Sequence, residues 1–230
     1  EDCAAKYGFT RAEQDAFATA SVERAKAATA SGAFAAEITP VTVKSRAGET
    51  VVSVDEGPGK VKLDKIASLK PAFKKDGTIT AASSSSINDG AAALVMMRAS
   101  TATKLGCKPL ARIVGHATHA QEPEWFATAP LGATQKALAK AGWAVGDVDL
   151  WEINEAFAVV PMALMKELNL PHDKVNVNGG ACALGHPIGA SGARIMVTLI
   201  YALQARGLKK GLATLCIGGG EATAVAVELV

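Results

Sequence analysis

The pattern of hydrophobic and polar residues predicts strands that alternate with helices over the second half of the chain. In the segment Ser191–Arg206, for example, Ile195 and Leu199 recur on one face, as in an amphipathic helix. This alternation is typical of a layered α/β domain. The predicted strands are 110–117, 148–153, 174–178, 211–217 and 222–229. The predicted helices are 130–141, 154 to about 168, and 191–206.

The first half of the chain begins with a helix and a hairpin. Thr10 and Glu13 have the spacing of a capping box, which predicts a helix over 11–31. Residues 37–54 alternate apolar and polar side chains around Ala47-Gly48, a pattern that indicates a β-hairpin.

The next segments are more varied. Residues 55–79 are rich in Lys, Gly and Pro and predict an excursion over the surface. Residues 80–90 are small and polar, which fits either a Ser-rich linker or part of a structured site. Their neighbours favour the second interpretation, because 91–97 predicts a buried strand and 99–105 a short helix.

Composition and charge narrow the function classes. The 230 residues carry a net charge of +2 without basic clusters, which argues against nucleic-acid binding. No apolar run approaches the roughly 20 residues of a membrane span. Four cysteines without CxxC spacing argue against a disulfide scaffold and favour a reducing, cytoplasmic setting. The chain begins at Glu1 rather than Met, so we expect the later part of a longer protein, in which an N-terminal targeting signal would not be visible.

The first segment with unusual polar residues is 151–158. Asn154 and Glu155 interrupt an apolar passage from strand to helix. Asn at this place fits an N-cap, and equally a side chain that performs chemistry at a strand end.

The second segment is 176–194. Five glycines within 179–192 allow the backbone to approach a ligand or another segment closely, although the string is not a dinucleotide-binding fingerprint. Pro187 directs His186 towards an extended conformation in a loop. His186 is then either a structural histidine or a catalytic one.

The third segment follows the predicted strand 211–217. Cys216 is either a small buried hydrophobe or a thiol facing a cavity, where the N–H groups of Gly218 and its glycine neighbours bind an oxyanion. His116, His119 and His172 have no carboxylate partners nearby in sequence, and no metal site is predicted.

Together, NEAFA at 154–158, GGACALGHPIGASGAR at 179–194 and CIGGG at 216–220 resemble the thiolase family, in its acetyl-CoA C-acetyltransferase branch. The resemblance runs from about Tyr7 to Val230. It implies an α/β, layered αβαβα fold, in which residues 1–107 end the N-terminal domain with its CoA-binding loop and residues 108–230 form the C-terminal domain.

The resemblance also implies catalytic roles. His186 would be the base that activates the acyl-accepting cysteine, and Asn154 would hold a water that forms an oxyanion hole with His186. Cys216 would be the acid and base for the second substrate, and the N–H of Gly218 would contribute to a second oxyanion hole. The family's acylated cysteine lies before the region covered here, and neither Cys3, Cys107 nor Cys182 has its sequence context. We therefore expect the 230-residue chain alone to be inactive.

The same resemblance implies contacts with coenzyme A. Ser85 would contact the pantetheine arm, and Arg46 would lie near the nucleotide. Five further residues would line the path of the arm: Ser84, Ala81, Phe73, Ala156 and Phe157.

The implied reaction is the reversible condensation of two acetyl-CoA to acetoacetyl-CoA and CoA, with no bound cofactor and no nucleic-acid or membrane partner. The full-length protein would be a homodimer or homotetramer. Two alternatives stay open: a 3-ketoacyl-CoA thiolase of fatty-acid β-oxidation with longer substrates, and a non-catalytic CoA-binding module.

Overall fold

The computed structural model describes residues 1–230 without a gap. The strands are β1 (Val41–Ser45), β2 (Gly48–Val52), β3 (Ala111–Ala120), β4 (Leu150–Ile153), β5 (Lys210–Cys216) and β6 (Glu221–Leu229). The helices are α1 (Asp2–Tyr7), α2 (Arg11–Ser31), α3 (Gly57–Lys60), α4 (Ala99–Leu105), α5 (Ala129–Ala141), α6 (Val159–Leu168), α7 (Ala181–Leu184) and α8 (Ser191–Arg206). Four 3₁₀ helices connect them, at Leu63–Ser68, Pro123–Thr128, Val145–Asp147 and His172–Lys174.

A four-stranded mixed sheet organises the second half of the chain. Its strand order is β3-β6-β5-β4, with β4 and β5 parallel and the other two pairs antiparallel. Because the carboxyl ends of parallel strands meet at one edge, the residues that follow β4 and β5 lie at the same edge of the sheet.

Alternating side chains of β6 pack against helices on the two faces of the sheet. Ala222, Ala224 and Ala226 join the core that contains α5, whereas Val227 joins the core that contains α8. The small residues allow close packing on the α5 face. A Cβ at Gly115 of β3 would lie only 2.7 Å from the Ala137 carbonyl oxygen of α5.

The long helix α2 has the predicted start. The Thr10 hydroxyl accepts the Glu13 N–H, and the Glu13 carboxylate accepts the Thr10 N–H, which completes the capping box. Gly32 ends the helix with a left-handed φ of 76°. The helix packs on α3 and α7, and thereby covers the glycine-rich segment around 180.

Several other predicted elements are confirmed. The hairpin of 37–54 is β1–β2, and the helices at 99–105, 130–141 and 191–206 form α4, α5 and α8 within one residue. The strands at 110–117, 148–153, 211–217 and 222–229 are present as β3, β4, β5 and β6. No helix combines the length and the apolar character that crossing a membrane requires.

The prediction of a buried strand at 91–97 is wrong. This segment pairs with no strand among the described residues, and Val95 is 89% exposed. Its apolar composition indicated burial, but a strand needs a neighbour to receive its N–H and C=O groups.

The prediction of a strand at 174–178 is also wrong. Only Val175 pairs, in an isolated bridge with Trp151. Asn176 has a positive φ of 47°, which turns the chain away from the sheet. Its side-chain amide accepts the Ile153 N–H and donates to the Ile153 C=O, both at 2.8 Å, so a side chain replaces the backbone ladder here.

The surface excursion of 55–79 is only partly exposed. Pro58 and Ile66 are buried, because α3 and the 3₁₀ helix Leu63–Ser68 pack their apolar side chains against the body of the protein. Ile79, beyond both helices, is buried in the main hydrophobic core.

Candidate active site

Asn154 extends β4 by one residue at the edge of the sheet. Its N–H donates to the Thr214 carbonyl oxygen of β5 at 3.0 Å, and its side chain is almost fully buried. The N-cap interpretation is wrong, because the following helix α6 begins five residues later, at Val159. The pairing with β5 fixes where the Asn154 amide lies.

A second segment holds the backbone of His186. The His186 N–H donates to the Ser86 carbonyl oxygen at 2.9 Å. Gly185 has a positive φ of 81° and lies directly against the Asn88 side chain, while a Cβ at Gly90 would lie 2.8 Å from Pro187. Ser86, Asn88 and Gly90 therefore contact the histidine turn although 86–90 are exposed, and the interpretation of 80–90 as a free linker is excluded.

The His186 ring has an assigned partner on each nitrogen. Nδ1 lies 2.5 Å from the Ser191 hydroxyl, which itself donates to the Pro187 carbonyl oxygen at 3.1 Å. Since that hydroxyl proton is used, Ser191 accepts a hydrogen bond from Nδ1–H. The Nε2 atom then carries the lone pair, 3.4 Å from the Asn154 amide nitrogen. This tautomer presents Nε2 as a base.

Sequence reasoning missed Ser191 as the partner of His186. The sequence does contain an indication of this contact. Ser191 lies five residues after His186, at the first position of α8, where polar side chains are common. The serine does not cap its own helix in this structure. Its hydroxyl is turned to the ring instead.

The electrostatic surroundings keep His186 neutral. Partial burial and, secondarily, the positive charge of Arg194 lower the pKa of the imidazole below its ordinary value. A neutral ring at physiological pH is the form that accepts a proton.

Cys216 ends β5 at the same edge of the sheet as Asn154. It is buried, and burial raises the pKa of its thiol to about 11. After it, the chain turns tightly: the Ile217 N–H donates to Glu221 at 2.7 Å, and the Gly220 N–H donates to Ile217 at 3.1 Å. Gly218 is exposed in this turn, and its N–H makes no hydrogen bond within the chain.

Five of the predicted CoA contacts come together beside this edge. The backbone N–H and hydroxyl of Ser85 both donate to the Ala156 carbonyl oxygen at 3.1 Å. Ser84 forms an antiparallel bridge with Phe157. Phe73 packs edge-on against Phe157 with ring centroids 5.7 Å apart, although Phe73 is 61% exposed. The result is a polar strip next to an accessible aromatic surface.

Two other predicted contacts form no hydrogen bond with this cluster. Ala81 is exposed in the turn between Thr80 and Ser83. Arg46 lies in the exposed turn between β1 and β2, and its side chain makes no hydrogen bond or ion pair. Phe126, which sequence reasoning missed, also packs edge-on against Phe157, with a centroid distance of 6.3 Å.

The remaining cysteines have different surroundings. Burial raises the pKa of Cys3 to about 11. Burial, and then the charge and hydrogen bond of Glu155, raise the pKa of Cys182 well above its ordinary value. Cys107 is exposed after α4. No three His, Cys, Asp or Glu side chains are grouped closely enough to hold a metal ion.

The arrangement provides three chemical capabilities. His186 offers a basic nitrogen, the Asn154 amide and the Gly218 N–H offer donors, and Cys216 offers a protonated thiol. A base and oriented donors are what acyl transfer to and from a thiol requires.

Comparison with known proteins identifies these segments. The family model "Thiolase, C-terminal domain" matches residues 107–229, and "Thiolase, N-terminal domain" matches residues 1–100. The acetyl-CoA acetyltransferase of Chromobacterium violaceum is 56% identical over 230 residues, which are 99% of this chain and 59% of that protein. The acetyl-CoA acetyltransferase of Paracoccus denitrificans is 52% identical over 229 residues, again 99% and 59%.

Solved structures agree with this assignment. The Bacillus anthracis acetyl-CoA acetyltransferase superposes with a TM-score of 0.96 at 47% identity, and human mitochondrial 3-ketoacyl-CoA thiolase with 0.91 at 38%. Each match covers 100% of this chain and 58% of the other, so the chain spans somewhat under two thirds of these relatives. The predicted thiolase-like α/β fold is confirmed, and the chain belongs to the thiolase family.

Proposed function

We propose that this chain is the C-terminal part of an acetyl-CoA acetyltransferase, which condenses two acetyl-CoA to acetoacetyl-CoA and CoA and also catalyses the reverse reaction. In this proposal, residues 1–107 belong to the N-terminal domain and residues 108–230 form the C-terminal domain. The observation that carries it is the His186 ring, held by Ser191 with its Nε2 towards Asn154, at the edge of the sheet where Cys216 ends β5.

In the first half-reaction, His186 acts as the base. Its Nε2 takes the proton of a cysteine thiol supplied by the part of the enzyme that precedes Glu1. The resulting thiolate attacks the acetyl-CoA carbonyl, a new thioester bond forms, and the bond to the CoA sulfur breaks. The proton on Nε2 then passes to the departing CoA thiolate, so the ring is again neutral.

In the second half-reaction, Cys216 exchanges a proton with the α-carbon of the second acetyl-CoA. The carbanion attacks the acetyl-cysteine, a carbon–carbon bond forms, and the cysteine sulfur leaves as thiolate. A thiol with a pKa of about 11 is protonated at neutral pH, the form that donates to the α-carbon in the cleavage direction. For condensation the Cys216 thiol first passes its proton to Nε2 of His186, and the departing cysteine thiolate takes up that proton at the end of the step, so every group returns to its starting state.

Negative charge develops on thioester oxygens in both steps. A water held by Asn154, together with His186 once its Nε2 has accepted a proton, forms one site for such an oxygen, and the N–H of Gly218 contributes to the other. Two features support this: the Asn154 amide nitrogen lies 3.4 Å from Nε2, and the Gly218 N–H has no partner within the chain. Loss of one such donor typically slows a reaction by about 100- to 1000-fold.

The pantetheine arm of CoA would lie along Ser85, Ser84, Ala156, Phe157, Phe73 and Ala81, with Arg46 towards the nucleotide. The exposed Phe73 ring and the polar strip of Ser85 match an arm that combines amide groups with a methylene chain.

The decisive experiment uses a fusion that places, before Glu1, the part of the Chromobacterium violaceum acetyl-CoA acetyltransferase that this chain does not span. We expect the fusion to cleave acetoacetyl-CoA with CoA, its Cys216→Ala variant to lose at least about 100-fold in rate, and the 230-residue chain alone to be inactive. Unchanged activity after Cys216→Ala would reject the catalytic assignment. A folded fusion without activity would favour a non-catalytic CoA-binding module.

A second candidate is a 3-ketoacyl-CoA thiolase with longer substrates, favoured by the likeness to human mitochondrial 3-ketoacyl-CoA thiolase. The fusion should be tested with 3-ketoacyl-CoA thioesters of increasing length. A preference for chains of about eight carbons or more would select this alternative. The same fusion should sediment as a homodimer or homotetramer.

A further inference from the structure

Glu155 is a fully buried carboxylate that receives hydrogen bonds from three separate segments. The Ser21 hydroxyl of α2 donates to Oε2 at 2.7 Å, and the Cys182 N–H of α7 donates to the same oxygen at 3.0 Å. The Asn176 side chain donates to Oε1 at 2.8 Å. Every one of these partners is 21 or more residues away in sequence. The bonds therefore fix tertiary geometry rather than a local turn.

The carboxylate supplies the missing cap of α7. The residue at the N-cap position is Gly180, which has no side chain to accept the first N–H groups of that helix. Glu155 accepts the Cys182 N–H, and Ser21 accepts the Gly180 N–H at 3.0 Å. A Cβ on Gly180 would collide with the Glu155 carboxylate, so the glycine is needed for this approach.

Charge and donors compensate the burial of Glu155. Burial lowers the pKa of Arg24, and the negative charge of Glu155 partly opposes that shift. Arg24 in turn donates to the Val175 and His172 carbonyl oxygens at 2.8 and 3.0 Å, in the segment that carries Asn176.

A second buried carboxylate, Glu152, lies in β4 and behaves differently. Its Oε1 has no hydrogen-bond partner, and Arg194 lies 3.7 Å from its other oxygen. Burial raises the pKa of Glu152 to about 8. Glu152 is thus neutral near pH 7 and provides a matched comparison for Glu155.

We propose that Glu155 is a positioning residue, whose carboxylate holds the α7 turn that leads to His186 against the strand end that carries Asn154. Glu155 directly follows Asn154, and α7 ends two residues before His186. One rigid carboxylate thus fixes the relative place of the two side chains whose atoms meet at 3.4 Å. The activity test rests on the proposed function, whereas a spectroscopic test on the 230-residue chain does not.

The activity test compares Glu155→Gln with Glu152→Gln in the fusion described above. The amide introduced by Glu155→Gln keeps the volume of the side chain. Its NH₂ group cannot accept a hydrogen bond, so it faces one of the present donors without bonding to it, and a contact that holds α7 is lost. We expect kcat to fall by about 10- to 100-fold, the range for a displacement near 1 Å, with KM for acetyl-CoA within about twofold. Glu152→Gln should leave kcat within about twofold, because that carboxyl is already neutral. Equal kcat values for the two variants, or a change confined to KM, would overturn the proposal.

The spectroscopic test follows the His186 ring nitrogens by ¹⁵N NMR in the 230-residue chain. Wild type and Glu152→Gln should show two distinct nitrogen signals, as a single Nδ1–H tautomer does. In Glu155→Gln the chemical shifts of the two ring nitrogens should move towards a common average, because the displaced ring loses its fixed contacts with Ser191 and Asn154. Unchanged signals in Glu155→Gln would contradict the proposal, even if the wild-type fusion is inactive and the proposed function fails.

Should Glu155→Gln fail to fold, Ser21→Ala takes its place. This change removes the hydroxyl that joins Gly180 to the carboxylate but leaves the Cys182 bond. We expect a smaller fall in kcat, about 3- to 10-fold, and the same direction of change in the His186 signals. A folded Ser21→Ala protein with wild-type kcat and signals would overturn the proposal.

Discussion

Strand β6 and the segment 91–97 are both short and apolar, yet they have opposite surroundings. In β6, Val227 is 1% exposed, between a paired strand on each side and a helix layer on each face. In 91–97, Val95 is 89% exposed and the backbone pairs with no strand among the described residues. Apolar sequence therefore predicts that a segment needs partners, and only the rest of the fold decides whether it has them.

The contrast extends to the glycines of the two regions. Near the candidate active site, two glycines lie directly against a polar side chain from another segment. Gly185 contacts Asn88, and Gly180 contacts Glu155. In the exposed hairpin, Gly48 has open space around its Cα. Gly180 and Gly185 are thus required by their neighbours, whereas Gly48 serves only the local turn.

The largest expected effect tests the close packing at Gly185. Gly185→Ala forces a side chain into a left-handed conformation and against Asn88, so we expect the free energy of unfolding to fall by about 2–5 kcal/mol. Urea unfolding monitored by circular dichroism measures it. Gly192→Ala, in open space within α8, is the control and should stabilise by about 0.5–1 kcal/mol. Equal effects of the two changes would show that the turn before His186 is not tightly packed.

The next prediction sets the two apolar segments against each other with one substitution. Val227→Ala removes buried methyl groups and leaves a cavity, so we expect a loss of about 2 kcal/mol in the free energy of unfolding. Val95→Ala should change it by less than about 0.5 kcal/mol. The same urea titration measures both. A loss at Val95 as large as that at Val227 would break the comparison.

A third prediction concerns the pH dependence that burial in the sheet imposes. Glu152 titrates at 4.5 when exposed and at about 8 in the fold, so between these values the unfolded chain releases a proton that the folded chain keeps. Its contribution to stability is therefore complete below pH 4.5 and falls as pH rises towards 8, by up to about 1.4 kcal/mol per pH unit. Glu152→Gln should remove this slope, which thermal unfolding across the range would show. A wild-type slope in the variant would assign it to another group.

The smallest expected effect is a shift in a pH–rate profile. His186 must be neutral to act as a base, so kcat/KM of the fusion should rise with pH through a value below the ordinary histidine pKa, as burial and Arg194 dictate. Arg194→Gln removes the secondary cause, and the rise should move to higher pH. A shift to lower pH would contradict the role of Arg194.

Local chemistry made much of the fold predictable. The Thr10–Glu13 capping box marked the start of α2, and the Pro187 restriction and glycine density marked the turn of His186. The predicted strands at 91–97 and 174–178 are wrong because strand pairing there depends on contacts with distant parts of the chain. In the second, the Asn176 side chain takes the place of a backbone ladder, which no periodicity reveals.

The candidate site was predictable in its residue types but not in its supports. Asn154, His186 and Cys216 could be proposed from sequence because polar or reactive side chains at element ends are conspicuous there, and their catalytic roles stay predictions. Ser191 and Glu155 act through bonds of 2.5–3.0 Å whose geometry depends on folded loops. The position of Arg46 could not be predicted either. It was chosen by resemblance alone, and it makes no hydrogen bond with the other predicted CoA residues.

The hydroxyl of Ser191 has a consequence for how long a proton stays on His186. Where a carboxylate holds the other ring nitrogen, its negative charge stabilises the imidazolium. Here a neutral oxygen orients the ring, and the nearby Arg194 charge opposes protonation. In the proposed reaction, a proton that arrives on Nε2 would therefore stay there only briefly, and His186 would pass it between two sulfur atoms rather than hold it.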